Sequence, residues 1–410
     1  MLEVYGGWIV LPYGIMKDAS VIVEKDRIVD IGNAPKIRKK YKITRSVGSK
    51  NSIICPGFID SHLHSYQIAT RGLAAGKTLL DWLKIIWKWE GNMTKKQASD
   101  CARLAYVELI SNGVTSFVDY TSVRHTEEAF KVASKLGLRA TIGKTMMDRN
   151  SPPGLLEDTM ESLRETERLI KKWHGKKGGR LRYAITPRFG ITCTDQLLNG
   201  AVRLAKKYNT MITTHAHENI KEVEWDKKNY KKTAIAHFHE LGILGKNTLL
   251  AHGIWLNDDE IGLLAKTKTS IAHCPGSNMA LKSGHAPVLE LLKNRVAVGL
   301  GSDVGAYHNF SMFDQMRLAI LTQKKRGKIF DYKDAFKLAT IGGAKAIGLE
   351  KEVGSLEKGK KADLVLLDGK KIVPKNDIVA QIVFCGDSSW VTEVICDGRI
   401  LMKNRVVKQN

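Results

Sequence analysis

Apolar residues recur with two periods along the chain, and the period changes twice. Near the N-terminus it is two. Ala19-Ser-Val-Ile-Val-Glu-Lys-Asp-Arg-Ile-Val-Asp-Ile-Gly32 is a pair of apolar runs around a polar turn, which predicts a hairpin. The C-terminal stretch has the same texture. Residues 362–368 and 390–395 read as strands, and Asp397-Gly398 turns the chain into Ile400-Leu-Met. In the middle, strand-like runs over 114–118, 138–146, 181–186, 210–214, 248–251, 269–272 and 296–301 alternate with helical patterns. Ala98, Cys101, Ala102, Ala105 and Leu109 keep helical spacing until Asn112-Gly113 stops them, and Leu197, Leu198, Ala201, Leu204 and Ala205 mark another helix. With a strand over 53–60 this makes about eight β/α units, the number that closes a barrel. The expected fold is α/β, a distorted (β/α)8 TIM barrel over 53–355. A small β-sandwich domain is built from both termini, 1–52 and 356–410.

Composition narrows the setting. The 410 residues are 43% hydrophobic, enough for a large core. The formal charge of +23 admits a basic scaffold or nucleic-acid binder. The Lys and Arg residues are spread along the whole chain, however, so a solvated lysine-rich exterior is the preferred reading and no nucleic-acid partner is expected. No apolar run is long enough to span a bilayer, and Met1-Leu-Glu-Val-Tyr5 reads into a strand rather than an export signal. Six scattered cysteines without a Cys-x-x-Cys pair point to a reduced, cytoplasmic chain.

The candidate chemistry lies where the strand-like runs end. Cys55-Pro-Gly-Phe-Ile-Asp-Ser-His-Leu-His64 puts two imidazoles on one face of a strand, because residues i and i+2 share a face. Later runs end in His215-Ala-His-Glu218, His252-Gly, His273-Cys-Pro and Ser302-Asp303. Barrel sites form at such C-terminal strand ends. His62, His64, His215 and Asp303 are therefore expected to hold one divalent metal, Zn2+ by default with Fe2+ as the alternative. A metal so held makes water nucleophilic near neutral pH. Asp303 is expected to take a proton from that water and Glu218 to shuttle one to the substrate. His252 is expected to hydrogen-bond the water or the developing oxyanion. His217 is expected to point away from His215, and His237-Phe-His239 is set aside because i and i+2 do not share a helix face. His273 reads as a wall residue, His308 as a residue of the loop after Asp303, and His125 and His174 as surface residues.

These residues resemble the motifs of the amidohydrolase superfamily. Pro56-Gly-Phe-Ile-Asp-Ser-His-Leu-His64 is similar to its opening motif, and Gly354-Ser-Leu-Glu-Lys-Gly-Lys-Lys-Ala-Asp-Leu-Val-Leu-Leu367 to its closing one. The barrel lacks a metal-bridging lysine, and Glu218 lies three residues past His215. Both features resemble the mononuclear deaminase branch. Within that branch Gln67, Leu79-Leu-Asp-Trp82-Leu83, Thr186-Pro-Arg-Phe189 and His273-Cys-Pro-Gly-Ser-Asn278 resemble guanine deaminases. The resemblance implies that Arg188 binds the O6/N7 edge of a purine base, that Gln67 binds another ring edge, and that Phe189 and Trp82 shape the pocket. It implies the reaction guanine plus water to xanthine plus ammonia, and a homodimer. Tyr66-Gln-Ile-Ala-Thr-Arg71 also resembles 8-oxoguanine deaminases, and Gly305-Ala-Tyr-His-Asn309 departs from the guanine deaminase pattern. Hydrolysis of 8-oxoguanine, an adenosine derivative, cytosine or a triazine is therefore the alternative.

Overall fold

The computed structural model describes residues 1–373 and 376–408. Two sheets divide these residues. The chain opens with β1 (Leu2–Leu11), β2 (Gly14–Glu24), β3 (Arg27–Asn33) and β4 (Arg45–Pro56). It then builds the barrel from β5 (Phe58–Leu63), β6 (Val114–Tyr120), β7 (Arg139–Gly143), β8 (Thr145–Met146), β9 (Leu181–Pro187), β10 (Met211–Ala216), β11 (Thr248–His252), β12 (Ser270–His273) and β13 (Val298–Leu300). Finally it returns to the first sheet with β14 (Leu364–Asp368), β15 (Val391–Cys396), β16 (Arg399–Lys403) and β17 (Val406–Val407).

The terminal sheet runs β17-β16-β15-β14-β4-β1-β2-β3. The two ends of the chain join at its centre, where Leu364 to Asp368 lie antiparallel to Pro56 to Ser52. Successive side chains of a strand face opposite ways. Ile54, Leu364 and Leu366 accordingly share a local core with Val4, Val21 and Ile395, while Ile53, Cys55, Val365 and Leu367 join the main core of the barrel. The expected domain from both termini is therefore one continuous sheet, with one face around its own core and the other laid on the barrel. Residues 53–56, expected to open the barrel, belong to this sheet. Gly57 is the joint: a Cβ there would lie 2.2 Å from Thr115 Oγ1, so only glycine lets the chain pass so close.

The barrel strands are parallel and follow one another in the order β5-β6-β7-β9-β10-β11-β12-β13. Helices cover them, which is why they read as continuous apolar runs. The run 138–146 is broken at Lys144, whose buried ammonium donates to Glu157 at 2.6 Å, so it forms β7 and the short β8. Bonds just beyond the strands draw the ends of the barrel together. Ser302 N–H donates to the Asp60 carboxylate at 3.0 Å, and Asp303 N–H to the His62 carbonyl at 3.1 Å. Local chemistry fixes the helix predicted before Asn112. Lys95–Ser111 starts at a Thr94/Gln97 capping box and ends before Gly113 at φ +80°.

A buried charge cluster ties the two sheets together. Arg139, at the start of β7, donates to both oxygens of Asp363 at 2.9 and 3.0 Å and to Asp397 at 3.0 Å. Arg180 meets the same Asp397 at 3.2 Å.

Candidate active site

Four strands deliver their last residues to one point. His62 and His64 come from β5 and its end, His215 from β10, His252 from β11, and Asp303 follows β13. The structure brings His62, His64, His215 and Asp303 together. Asp303 Oδ1 lies 3.4 Å from Nε2 of both His62 and His64, and the Nε2 atoms of His64 and His215 are 3.3 Å apart. The ring orientations are set from behind. Nδ1–H of His64 donates to the Tyr120 carbonyl at 2.8 Å, and Nδ1–H of His215 to the Arg188 carbonyl at 2.7 Å. That tautomer leaves each Nε2 lone pair aimed into the site.

These residues fit a divalent cation. His62 is fully buried, yet neither of its ring nitrogens has a hydrogen-bond partner among the described residues. Its ligand atom lies within 4.8 Å of those of His64 and His215, and equally of those of His252 and Asp303. Buried polar atoms left unpaired are costly, so the set is built for something that is not protein. Three imidazoles and a carboxylate are the donors that zinc and ferrous iron take. Asp303 suits the task electrostatically. Burial alone would raise its pKa, but the neighbouring His62, His252 and His64 hold it well below the usual carboxylate range. The metal ligands would thus present one standing negative charge.

Glu218 and His252 complete the polar floor. His252 Nε2 stands 3.5 Å from Glu218 and 3.9 Å from Asp303. Its Nδ1–H donates to Asn278 at 2.9 Å, which aims Nε2 between the two carboxylates. Burial, reinforced by the charge of Asp303, pushes Glu218 well above the usual range. Two neighbouring carboxyls with opposed shifts divide into a base and an acid.

The cavity above this floor is walled by Leu79, Trp82, Leu83, Phe189 and Leu281. Arg188 enters from the end of β9. It is 3% exposed and stands over the Trp87 ring at 5.5 Å, and its Nη1 has no partner among the described residues. Gln67 does not line this cavity. Its amide donates to the buried Glu90 at 2.8 Å, and the charge of Arg188 bears on that same carboxylate. His217 turns away from the site, with Nδ1 at 3.2 Å from the Trp255 carbonyl. His273 is buried with neither nitrogen paired among the described residues, and burial lowers it to about 3. His308 is exposed. His125 and His174, expected at the surface, are half-buried, and His174 accepts from Tyr183 N–H at 3.1 Å.

Three supporting residues have no role assigned from the sequence, although Asp60 lies within the motif Pro56–His64. Tyr120 is buried beneath the histidines, with its ring 4.8 Å from that of His215 and 5.4 Å from that of His64. Asp60 accepts from the backbone of both Ser302 and His62, at 3.0 and 3.3 Å. Glu222 accepts from the backbone of both His217 and Glu218.

Residues 53–401 match the model of the amidohydrolase family. A 5-methylthioadenosine/S-adenosylhomocysteine deaminase of Desulforamulus reducens is 31% identical over 97% of this chain and 92% of its own. A 5'-deoxyadenosine deaminase of Methanothermobacter thermautotrophicus is 34% identical over 96% and 92%. Among solved structures, the guanine deaminase of E. coli superposes with a TM-score of 0.93 at 30% identity, covering 98% of this chain and all of that one. With that match, those identities and a parallel barrel carrying the histidine and aspartate set, the chain belongs to the amidohydrolase family.

Proposed function

We propose that the protein is a metal-dependent hydrolytic deaminase of a free purine base, converting guanine and water to xanthine and ammonia. The unpaired Nη1 of buried Arg188 carries this reading. A buried guanidinium whose Nη1 is unpaired among the described residues, at the wall of a cavity, calls for a planar acceptor edge, and O6/N7 of guanine is such an edge. The rest of the wall fits a planar base. Beyond Arg188 and the residues around the metal position, the described lining is apolar (Leu79, Trp82, Leu83, Phe189 and Leu281), which suits the faces of a flat heterocycle.

The metal position would be filled by zinc or ferrous iron on His62, His64, His215 and Asp303. When bound, such an ion polarises water enough for attack near neutral pH. Arg188 orients the base against Phe189 and Trp82. Glu218, kept protonated by burial, donates to N3 and makes C2 electrophilic. Water attacks C2 as Asp303 accepts a proton, with His252 aligning the attacking oxygen. The proton then passes to the exocyclic nitrogen, the C2–N2 bond breaks and ammonia leaves, and the remaining C2 hydroxyl proton returns to Glu218 as the carbonyl of xanthine forms.

The names of the two curated relatives favour a second reading, deamination at C6 of a 5'-substituted adenosine. One assay separates them: ammonia release by the metal-replete protein from guanine, 8-oxoguanine, adenosine, 5'-deoxyadenosine and 5-methylthioadenosine. Guanine should give the highest kcat/KM, and Arg188→Ala should lower it about 10²- to 10³-fold. Faster turnover of the adenosines, unchanged by Arg188→Ala, would replace the first reading with the second.

A further inference from the structure

The helix Ile220–Tyr230 stands between the loop carrying Glu218 and the loop carrying Arg188, and one of its faces is spent on holding both. Glu222, Asp226 and Tyr230 are four residues apart and so lie in one row along the helix. Glu222 is 2% exposed and gives one oxygen to each of two consecutive backbone donors, His217 N–H at 3.2 Å and Glu218 N–H at 2.9 Å. It anchors a turn in which His217 takes φ +54°, a conformation a side chain seldom adopts unaided. At the far end of the row, the Tyr230 hydroxyl donates to the Gly190 carbonyl at 2.7 Å. Gly190 comes directly after Arg188 and Phe189 in the chain.

A third segment closes the arrangement. Arg149 donates through Nη2 to the same Gly190 carbonyl at 2.5 Å and to the Tyr230 hydroxyl. Its guanidinium lies 5.4 Å from the Trp225 ring centre and 5.5 Å from that of Tyr230, both on this helix. Gly190 is pressed flat against the row: a Cβ there would come within 3.3 Å of Asp226 Oδ1 and 3.5 Å of the Tyr230 ring. None of Arg149, Glu222, Asp226 and Tyr230 lines the cavity.

We infer that Glu222 and the Arg149–Tyr230 pair are positioning residues. Glu222 sets the backbone from which the proton donor Glu218 projects. Arg149 and Tyr230 set the backbone from which the base-holding Arg188 projects. The rigid helix between them fixes the separation of the two, so that proton delivery and base binding stay in register. This rests on the roles proposed for Glu218 and Arg188.

The test uses the full-length, metal-loaded protein and the best substrate of the purine panel. Glu222→Gln keeps the size of the side chain but leaves one acceptor and turns an N–H donor toward a backbone donor. It should keep its metal and a KM within about threefold, while kcat falls about 10- to 100-fold. Arg149→Met should do the reverse, raising KM about tenfold with kcat within about threefold. Tyr230→Phe, the mildest change, should move in the same direction as Arg149→Met by a smaller factor. Deuterium uptake of the peptide spanning 215–222 should rise at least about tenfold in Glu222→Gln and stay unchanged in Arg149→Met. Variants that lose only thermal stability, with kcat, KM and local uptake unchanged, would overturn the inference. So would Glu222→Gln and Arg149→Met giving the same kcat-to-KM pattern. If the unmodified protein loads metal but deaminates no purine, the proposed reaction fails, and the uptake measurement alone still decides the role of Glu222.

Discussion

Asp303, His252 and His217 share a residue-scale property: all three are non-glycine residues in left-handed backbone, at φ 49°, 74° and 54°. Each such residue costs on the order of 1 kcal/mol or more, and they gather at strand ends around the site. The backbone is bent there to turn side chains inward or, for His217, away. Glu218 carries the sharpest residue-scale prediction. Glu218→Gln removes the carboxyl proton while keeping the shape, so metal content should remain at that of the unmodified protein and kcat should fall about 10³-fold in a steady-state ammonia assay. Much of this scale was legible beforehand. His62, His64, His215, His252 and Asp303 stand out because each ends an apolar run, and strand ends of a barrel converge. Glu90 and Glu222 were not legible, because a lone carboxylate in a helix carries no spacing signal until its partner is known. Gln67 shows the same limit: the spacing after His64 is visible, but the Glu90 that captures its amide comes from a different helix.

At the scale of elements, apolar runs named the barrel strands because each is buried on both faces. Their limits were less legible where a single side chain decides them, as Lys144 does between β7 and β8. Helix stops were clearer, since Asn112-Gly113 acts locally. The helix Ile220–Tyr230 has its own pH signature. Burial, with help from Glu222, raises Asp226 to about 8 against the opposing charge of Arg149. An acid raised in the folded state favours folding fully below its unfolded value near 4, and that contribution is lost as pH rises through the folded value. Asp226→Asn should therefore leave Tm nearly unchanged at pH 4 and raise it by about 2–4 °C at pH 9, as read by differential scanning calorimetry. A carboxylate that Arg149 stabilises in its ionised form would give the opposite sign at pH 9.

At the scale of the whole molecule, the two sheets are joined by the apolar face of the terminal sheet and, within it, by the buried Arg139. Its guanidinium is 4% exposed and its partner Asp363 1%, so removing the cation strands a buried carboxylate. Arg139→Met should cost about 3–5 kcal/mol of stability, visible as a lower urea midpoint, while the fraction that remains folded keeps its metal and its kcat. The charge of +23 foretold none of this, because net charge describes the exterior and the joint is internal.

The seam between β4 and β14 has a consequence for biosynthesis. The partner of Ser52–Pro56 is made only when the ribosome reaches Leu364–Asp368. Until then β4 has β1 on one side and an open edge on the other. Translation that stalls before residue 364 leaves that edge free to pair with another nascent chain. The strand that carries His62 and leads into His64 begins two residues after the end of β4. A chain truncated before Leu364 should therefore partition into the insoluble fraction, as read by centrifugation after expression.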